Sequence, residues 1–129
     1  MLAQAARECT GLLGSATAYT WSDMFDPHHN AVKKDYYLVR GDLTGSWEGL
    51  AQDVVVVNWN FDQRDASLKF FADRGHRQVL AGYYDGEPAQ VKKWLGSASK
   101  VKGIIGVMYT TWQSRFDDLE AFARHCREY

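Results

Sequence analysis

The chain has 129 residues, enough for one domain with its own core and too few for two ordinary domains. Charged residues make up 24% and the formal net charge is −1, so neither sign is in excess and nothing favours nucleic acid or an acidic membrane surface as a partner. Aromatic residues make up 14%, with five Trp and seven Tyr, more than a core of this size normally uses and well suited to stacking flat apolar ligand faces such as sugar rings.

Residues 1–10 are Ala-rich and read as a short helix closed by Gly11 and Gly14. Arg7 and Glu8 interrupt this start before a signal-like apolar core could form, and no later stretch approaches the ~18 apolar residues of a membrane span. As written, the chain reads as soluble, untargeted and cytoplasmic. Cys9 and Cys126 form no Cys-x-x-Cys pair, so two free, buried thiols are expected in place of a zinc site or a disulfide framework.

Residues 16–21, with Thr17, Tyr19 and Thr20, read as a first strand ending at Trp21-Ser22-Asp23. A long loop follows to about Gly49, and long ordered loops at such a position usually carry function. Residues 54–60 read Val-Val-Val-Val-Asn-Trp-Asn, an apolar run with no polar face, which predicts a parallel strand covered on both sides. A helix over 64–74 follows, with Leu68, Phe71 and Ala72 as its inward stripe and Gly75 just past its end. His76 falls in the return turn and is expected at the surface.

Residues 79–82 form a third short strand ending in Tyr83-Tyr84-Asp85. The next helix carries Pro88 in its first turn and buries Val91, Trp94 and Leu95. Residues 101–108 form a fourth strand ending in Tyr109-Thr110-Thr111-Trp112. A final helix over 116–127 is expected to bury Phe116, Leu119, Phe122, Ala123 and Cys126, with Asp117-Asp118 opening it and favouring its dipole. His125 is expected at the surface.

The spacing from Val54 to Val79 and from Val79 to Ile104 is 25 residues each time, near the ~30 of a βαβ unit. The expected architecture is therefore α/β, one domain over 1–129 made of four parallel βα units, about half of a TIM (β/α)8 barrel, which needs ~250 residues. Four parallel strands alone leave two bare edges and an uncovered inner face. Such a piece belongs to a longer chain, pairs with a copy of itself, or keeps its sheet open.

Ligands of these folds bind at the carboxyl ends of the strands. Trp21, Asp23, Asp26, His28, His29, Asn58, Trp59, Asp62, Tyr83, Tyr84, Asp85, Trp112 and Gln113 fall there, and Trp from three strand ends would converge as an aromatic cup. Trp94 belongs to the core, whereas Trp47 lies in a loop and its place stays open. A divalent cation on Asp23, Asp26, His28 and His29 competes with this reading, but Pro27 favours an ordinary turn with solvated histidines, so no metal is assigned. No phosphate loop or nucleophile elbow is present, and no cofactor is expected.

The order Trp21-Ser22-Asp23-Met24, Val57-Asn58-Trp59, Tyr83-Tyr84-Asp85 and Thr111-Trp112 at successive strand ends resembles strands five to eight of the family 20 glycoside hydrolases, the β-N-acetylhexosaminidases. The resemblance covers essentially the whole chain but only the C-terminal half of that family's TIM barrel. It implies a carbohydrate ligand, with Trp59 and Trp112 walling the subsite and Tyr83 donating to the N-acetyl carbonyl. It also places the family's adjacent Asp-Glu pair, orienter and general acid of a substrate-assisted reaction, before this segment. Where the family has Trp-x-Glu, this chain reads Trp112-Gln113-Ser114, and the carboxylate of Trp21-Ser22-Asp23 is shifted from the family pattern.

Substrate contacts are thus expected from Trp21, Asp23, Asn58, Trp59, Tyr83, Asp85 and Trp112, with no catalytic residue in this chain. The alternative function is a non-catalytic, self-associating half-barrel acting as a binding or structural module. The expected partners are a carbohydrate and either an N-terminal half-barrel or a second copy.

Overall fold

The computed structural model describes residues 2–12, 14–36 and 40–129. Its centre is strand β2 (Val55–Asn58), buried at all four positions because it has a parallel neighbour on each side and a helix layer over one face. Strand β1 (Tyr19–Trp21) pairs with it on one side and β3 (Gln78–Ala81) on the other, and β4 (Ile104–Met108) pairs with β3. The sheet is all parallel in the order β1-β2-β3-β4. Sequential order combined with right-handed crossovers puts the connecting helices on one face. Helices α2 (Arg64–Asp73) and α3 (Val91–Ala98) pack on each other, and α3 packs on α4 (Leu119–Arg127). This is an α/β arrangement compatible with half a barrel.

Alternation along the strands divides their side chains between the two faces. Val56 packs with Phe71 of α2, and Leu80 packs with Leu68 of α2 and Trp94 of α3, all five buried. Burying each such side chain contributes about 1.5–3 kcal/mol. Aligned partners in a parallel ladder share a face, so Asn58, partner of Leu80, also faces the helices. There its Nδ2 donates to Gln78 Oε1 at 2.7 Å, and Gln78 Nε2 donates to the Leu68 carbonyl at 3.0 Å. The opposite face carries Tyr19 and Trp21, which are exposed.

Turn chemistry fixes the connections. Gly75 at φ +81° follows α2, as its position implied. Gly103 at φ +87° enters β4 where a Cβ would lie 2.7 Å from the His76 carbonyl oxygen, so only glycine fits.

Several sequence expectations are corrected. Helix α1 (Leu2–Leu12) runs through Gly11, and the positive φ that follows it belongs to Gly14. β1 starts only at Tyr19, where its register with Val55 begins. α4 starts at Leu119, and Phe116 and Leu119 are exposed, because the preceding segment is tied down by other contacts described below. Cys9 is exposed and Cys126 half-buried, so neither is a fully buried thiol. His76 is buried, edge-on to Phe71 at 5.9 Å between ring centroids, with Nδ1 3.3 Å from the Val54 carbonyl. His125 is half-buried, 3.5 Å from Glu128. Among the described residues, no helix is long and apolar enough to cross a membrane.

Candidate functional site

Each βα connection leaves its strand at the same end of the sheet, and each carries an aromatic residue there. Trp21 ends β1, Trp59 follows β2 directly, Tyr84 lies just beyond β3, and Trp112 beyond β4. Their rings form a chain around one hollow. Trp21 and Trp112 are 5.9 Å apart between ring centroids, Trp112 and Tyr84 6.4 Å, and Tyr84 and Trp59 5.5 Å with planes only 12° apart. The hollow holds about 400 Å³, with Asp23, Met24 and Tyr36 completing its wall. That volume is within the range of small-ligand sites.

After β1, residues 23–30 are held by polar contacts. Asp23 opens a 3₁₀ turn (Asp23–Phe25), and Asn30 Nδ2 donates to its Oδ2 at 3.0 Å. Ser46 Oγ donates to the Met24 carbonyl at 2.6 Å, and Asn60 Nδ2 donates to the His28 carbonyl at 3.0 Å, tying this loop to the one after β2. Asp26 is buried, its Oδ1 accepting the His28 amide at 2.8 Å. His29 packs edge-on against Trp59 at 4.4 Å. Burial pushes the His29 imidazole below its ordinary pKa, Asp23 and Asp26 pull the other way, and Lys33 adds to the lowering.

Asp85 holds the opposite rim. Its carboxylate accepts from Thr111 Oγ1, from the Trp112 amide at 2.6 Å and from the Gln113 amide at 3.2 Å. Burial alone would raise its pKa, but these bonds and the Arg115 charge outweigh it and hold the carboxyl below the usual range. Arg115 N donates back to Thr111 Oγ1 at 2.9 Å, and Tyr109 Oη donates to the Arg115 carbonyl at 2.6 Å. These contacts keep residues 112–118 out of α4 and present Trp112 to the cavity.

Comparison with protein-family models, curated proteins and solved structures returns no match. The geometry therefore stands alone. Of the expected contact residues, Trp21, Asp23, Trp59 and Trp112 meet at one cavity. Asp85 is a clamp behind Trp112, its oxygens occupied by protein donors. Asn58 is buried against Gln78 on the helix face and lines no part of the hollow.

Tyr83 is buried too. Its ring stacks on Tyr109 at 4.3 Å and its Oη donates to Asp118 Oδ2 at 2.8 Å, while burial first and this acceptor second push its pKa up. Asp118 thus ties α4 to the end of β3, beyond its expected dipole role. Of the Tyr83–Tyr84 pair, it is Tyr84 that lines the cavity. Alternation continued from Leu80 would assign Tyr83 to the cavity side, but β3 ends at Ala81 and its phase does not survive into the loop. Met24 and Tyr36 were missed because nothing in a long loop's sequence fixes which side chains turn inward. Trp47 joins the core beside Phe70, 5.9 Å away. Among the described residues, no three His, Cys, Asp or Glu side chains gather as a metal-holding group.

Chemically, the cavity offers indole and phenol surfaces, a thioether and one carboxylate. Aromatic faces accept apolar C–H surfaces, and a carboxylate accepts hydroxyl or amide protons. Among the described residues, no nucleophile paired with a base lines it.

Proposed function

We propose that this cavity binds a sugar ring and that the chain is the C-terminal half of a TIM-barrel glycoside hydrolase similar to family 20, acting on N-acetylhexosaminides. The observation that carries this reading is the meeting of Trp21, Trp59, Tyr84 and Trp112 with Asp23 around one hollow at the carboxyl end of a parallel sheet. A sugar ring is amphipathic in the matching way, with C–H faces for the indoles and hydroxyls for the carboxylate. The burial of Tyr83 removes the donor that the family resemblance assigns to the acetamide, and the phenols that line the cavity are those of Tyr36 and Tyr84.

In such an enzyme the substrate's acetamide oxygen attacks the anomeric carbon while a protonated carboxyl donates to the leaving oxygen. The sequence contains no adjacent Asp-Glu pair, so this chain supplies the aromatic wall and no acid. Titration calorimetry with N-acetylglucosamine tests the reading. Binding is expected, and Trp112→Ala, at an exposed position, should weaken it about tenfold, as loss of an aromatic anchor does. No hydrolysis of an aryl N-acetylglucosaminide by the chain is expected. Absence of saccharide binding would overturn the proposal.

A second reading, a half-barrel that completes itself with a copy, is favoured by a separate observation. Tyr19 on β1 and Ile105 on β4, the two strands paired on one side only, are both exposed. Sedimentation at twice the chain mass would support it, and it leaves the sugar site in place.

A further inference from the structure

Five aromatic rings and one carboxylate line the cavity at the strand ends: Trp21, Tyr36, Trp59, Tyr84 and Trp112 with Asp23. Trp21, Tyr84 and Trp112 are exposed, so a ligand can reach their rings. Neighbouring rings along this wall lie 5.5 to 6.4 Å apart between centroids, and one point in the hollow is within reach of several at once. The face of each ring carries partial negative charge and attracts a cation held within about 6 Å of its centroid. The chain shows this at one wall, where Lys33 Nζ lies 5.3 Å from the centroid of Tyr36 while staying outside the lining.

Asp23 adds a full negative charge. Its Oδ2 accepts from Asn30 Nδ2 at 3.0 Å, which fixes the carboxylate, and its Oδ1 accepts no hydrogen bond from the described residues. Among the described residues, no Lys or Arg lines the cavity, so its lining carries one negative charge and no positive one. An anionic ligand is therefore disfavoured. A primary ammonium is disfavoured as well, because it brings three N–H donors and a tight hydration shell that a wall made mostly of ring faces replaces poorly. A quaternary ammonium has no N–H to satisfy. It presents only C–H surface under a diffuse positive charge, which matches ring faces with a single counter-ion.

We propose that this cavity recognises a quaternary ammonium group, held against the ring faces with Asp23 as its counter-ion. The inference goes beyond the sugar reading and does not depend on it, because ring faces that accept the C–H surface of a sugar also accept a methylated cation. It is tested on the full chain by calorimetry with choline and with 3,3-dimethylbutan-1-ol, which has the same shape with carbon in place of the charged nitrogen. Choline should bind about tenfold more tightly than the alcohol. Asp23→Asn keeps an acceptor for Asn30 and removes the charge, so it should shrink that ratio to about threefold or less. The choline N-methyl proton signals should move upfield when the parent chain is added, as ring faces above them require, a readout independent of how the variant folds. Equal affinity for choline and the alcohol, a ratio unchanged in Asp23→Asn, or methyl signals that stay still would overturn the proposal. Binding of choline without binding of N-acetylglucosamine would remove the sugar reading and leave this one, and the reverse result would remove this one and leave the sugar.

Discussion

Asp85 sets the shape of the cavity without lining it. Its carboxylate gathers Thr111 and the amides of Trp112 and Gln113, so the indole at the rim is held before a ligand arrives. Asp85→Ala frees that segment, and saccharide binding should weaken roughly three- to tenfold, the cost of immobilising one side chain on binding. Calorimetry measures this, and an unchanged affinity would show that Trp112 needs no clamp. His76 makes a different prediction. Burial, the leading cause, holds its pKa below 6.5, with the Val54 bond opposing and Arg74 adding to the lowering. The unfolded chain therefore takes up the proton first, so stability is full above about 6.5 and falls as pH drops through that value toward the lower folded one. His29 acts in the same direction. The urea midpoint should fall between about pH 7.5 and about pH 5.5, and His76→Gln should shrink the fall without abolishing it.

Between elements, the bond from Tyr83 Oη to Asp118 joins the end of β3 to the start of α4. Tyr83→Phe should cost about 1–2 kcal/mol in chemical unfolding and leave the affinity for N-acetylglucosamine unchanged. Tyr84→Ala should do the reverse. A loss of acetamide preference in the Tyr83→Phe variant would restore to Tyr83 the role that the family resemblance assigns it. In the helix layer, Leu80→Ala opens a cavity beside Leu68 and Trp94 and should cost about 2–5 kcal/mol. The elements most legible in the sequence were those decided by burial: the four-valine run became β2, and the stripes of α2 and α3 face inward as spaced. Element ends were less legible. The start of α4 and the fate of Tyr83 depend on contacts 26 to 35 residues away, between Asp85 and Thr111 and between Tyr83 and Asp118, which no local pattern encodes.

At the scale of the molecule, the parallel sheet was legible in the apolar run of residues 54–60 and in the 25-residue spacing from Val54 to Val79 to Ile104. Three of the cavity's indoles could be anticipated because each ends a strand, and strands running in one direction bring their ends together. Asn58 could not be placed in the same way, since a strand buried on both faces does not announce which face a given residue takes. The two edge strands leave Tyr19, Trp21 and Ile105 exposed. The central claim, that separate strand ends build one sugar site, is tested most directly by the indole N–H signals of the five Trp during titration with N-acetylglucosamine. Trp21, Trp59 and Trp112 should shift together along one binding curve while Trp47 and Trp94 stay still. Signals that do not move, or a shift confined to Trp47 or Trp94, would contradict it.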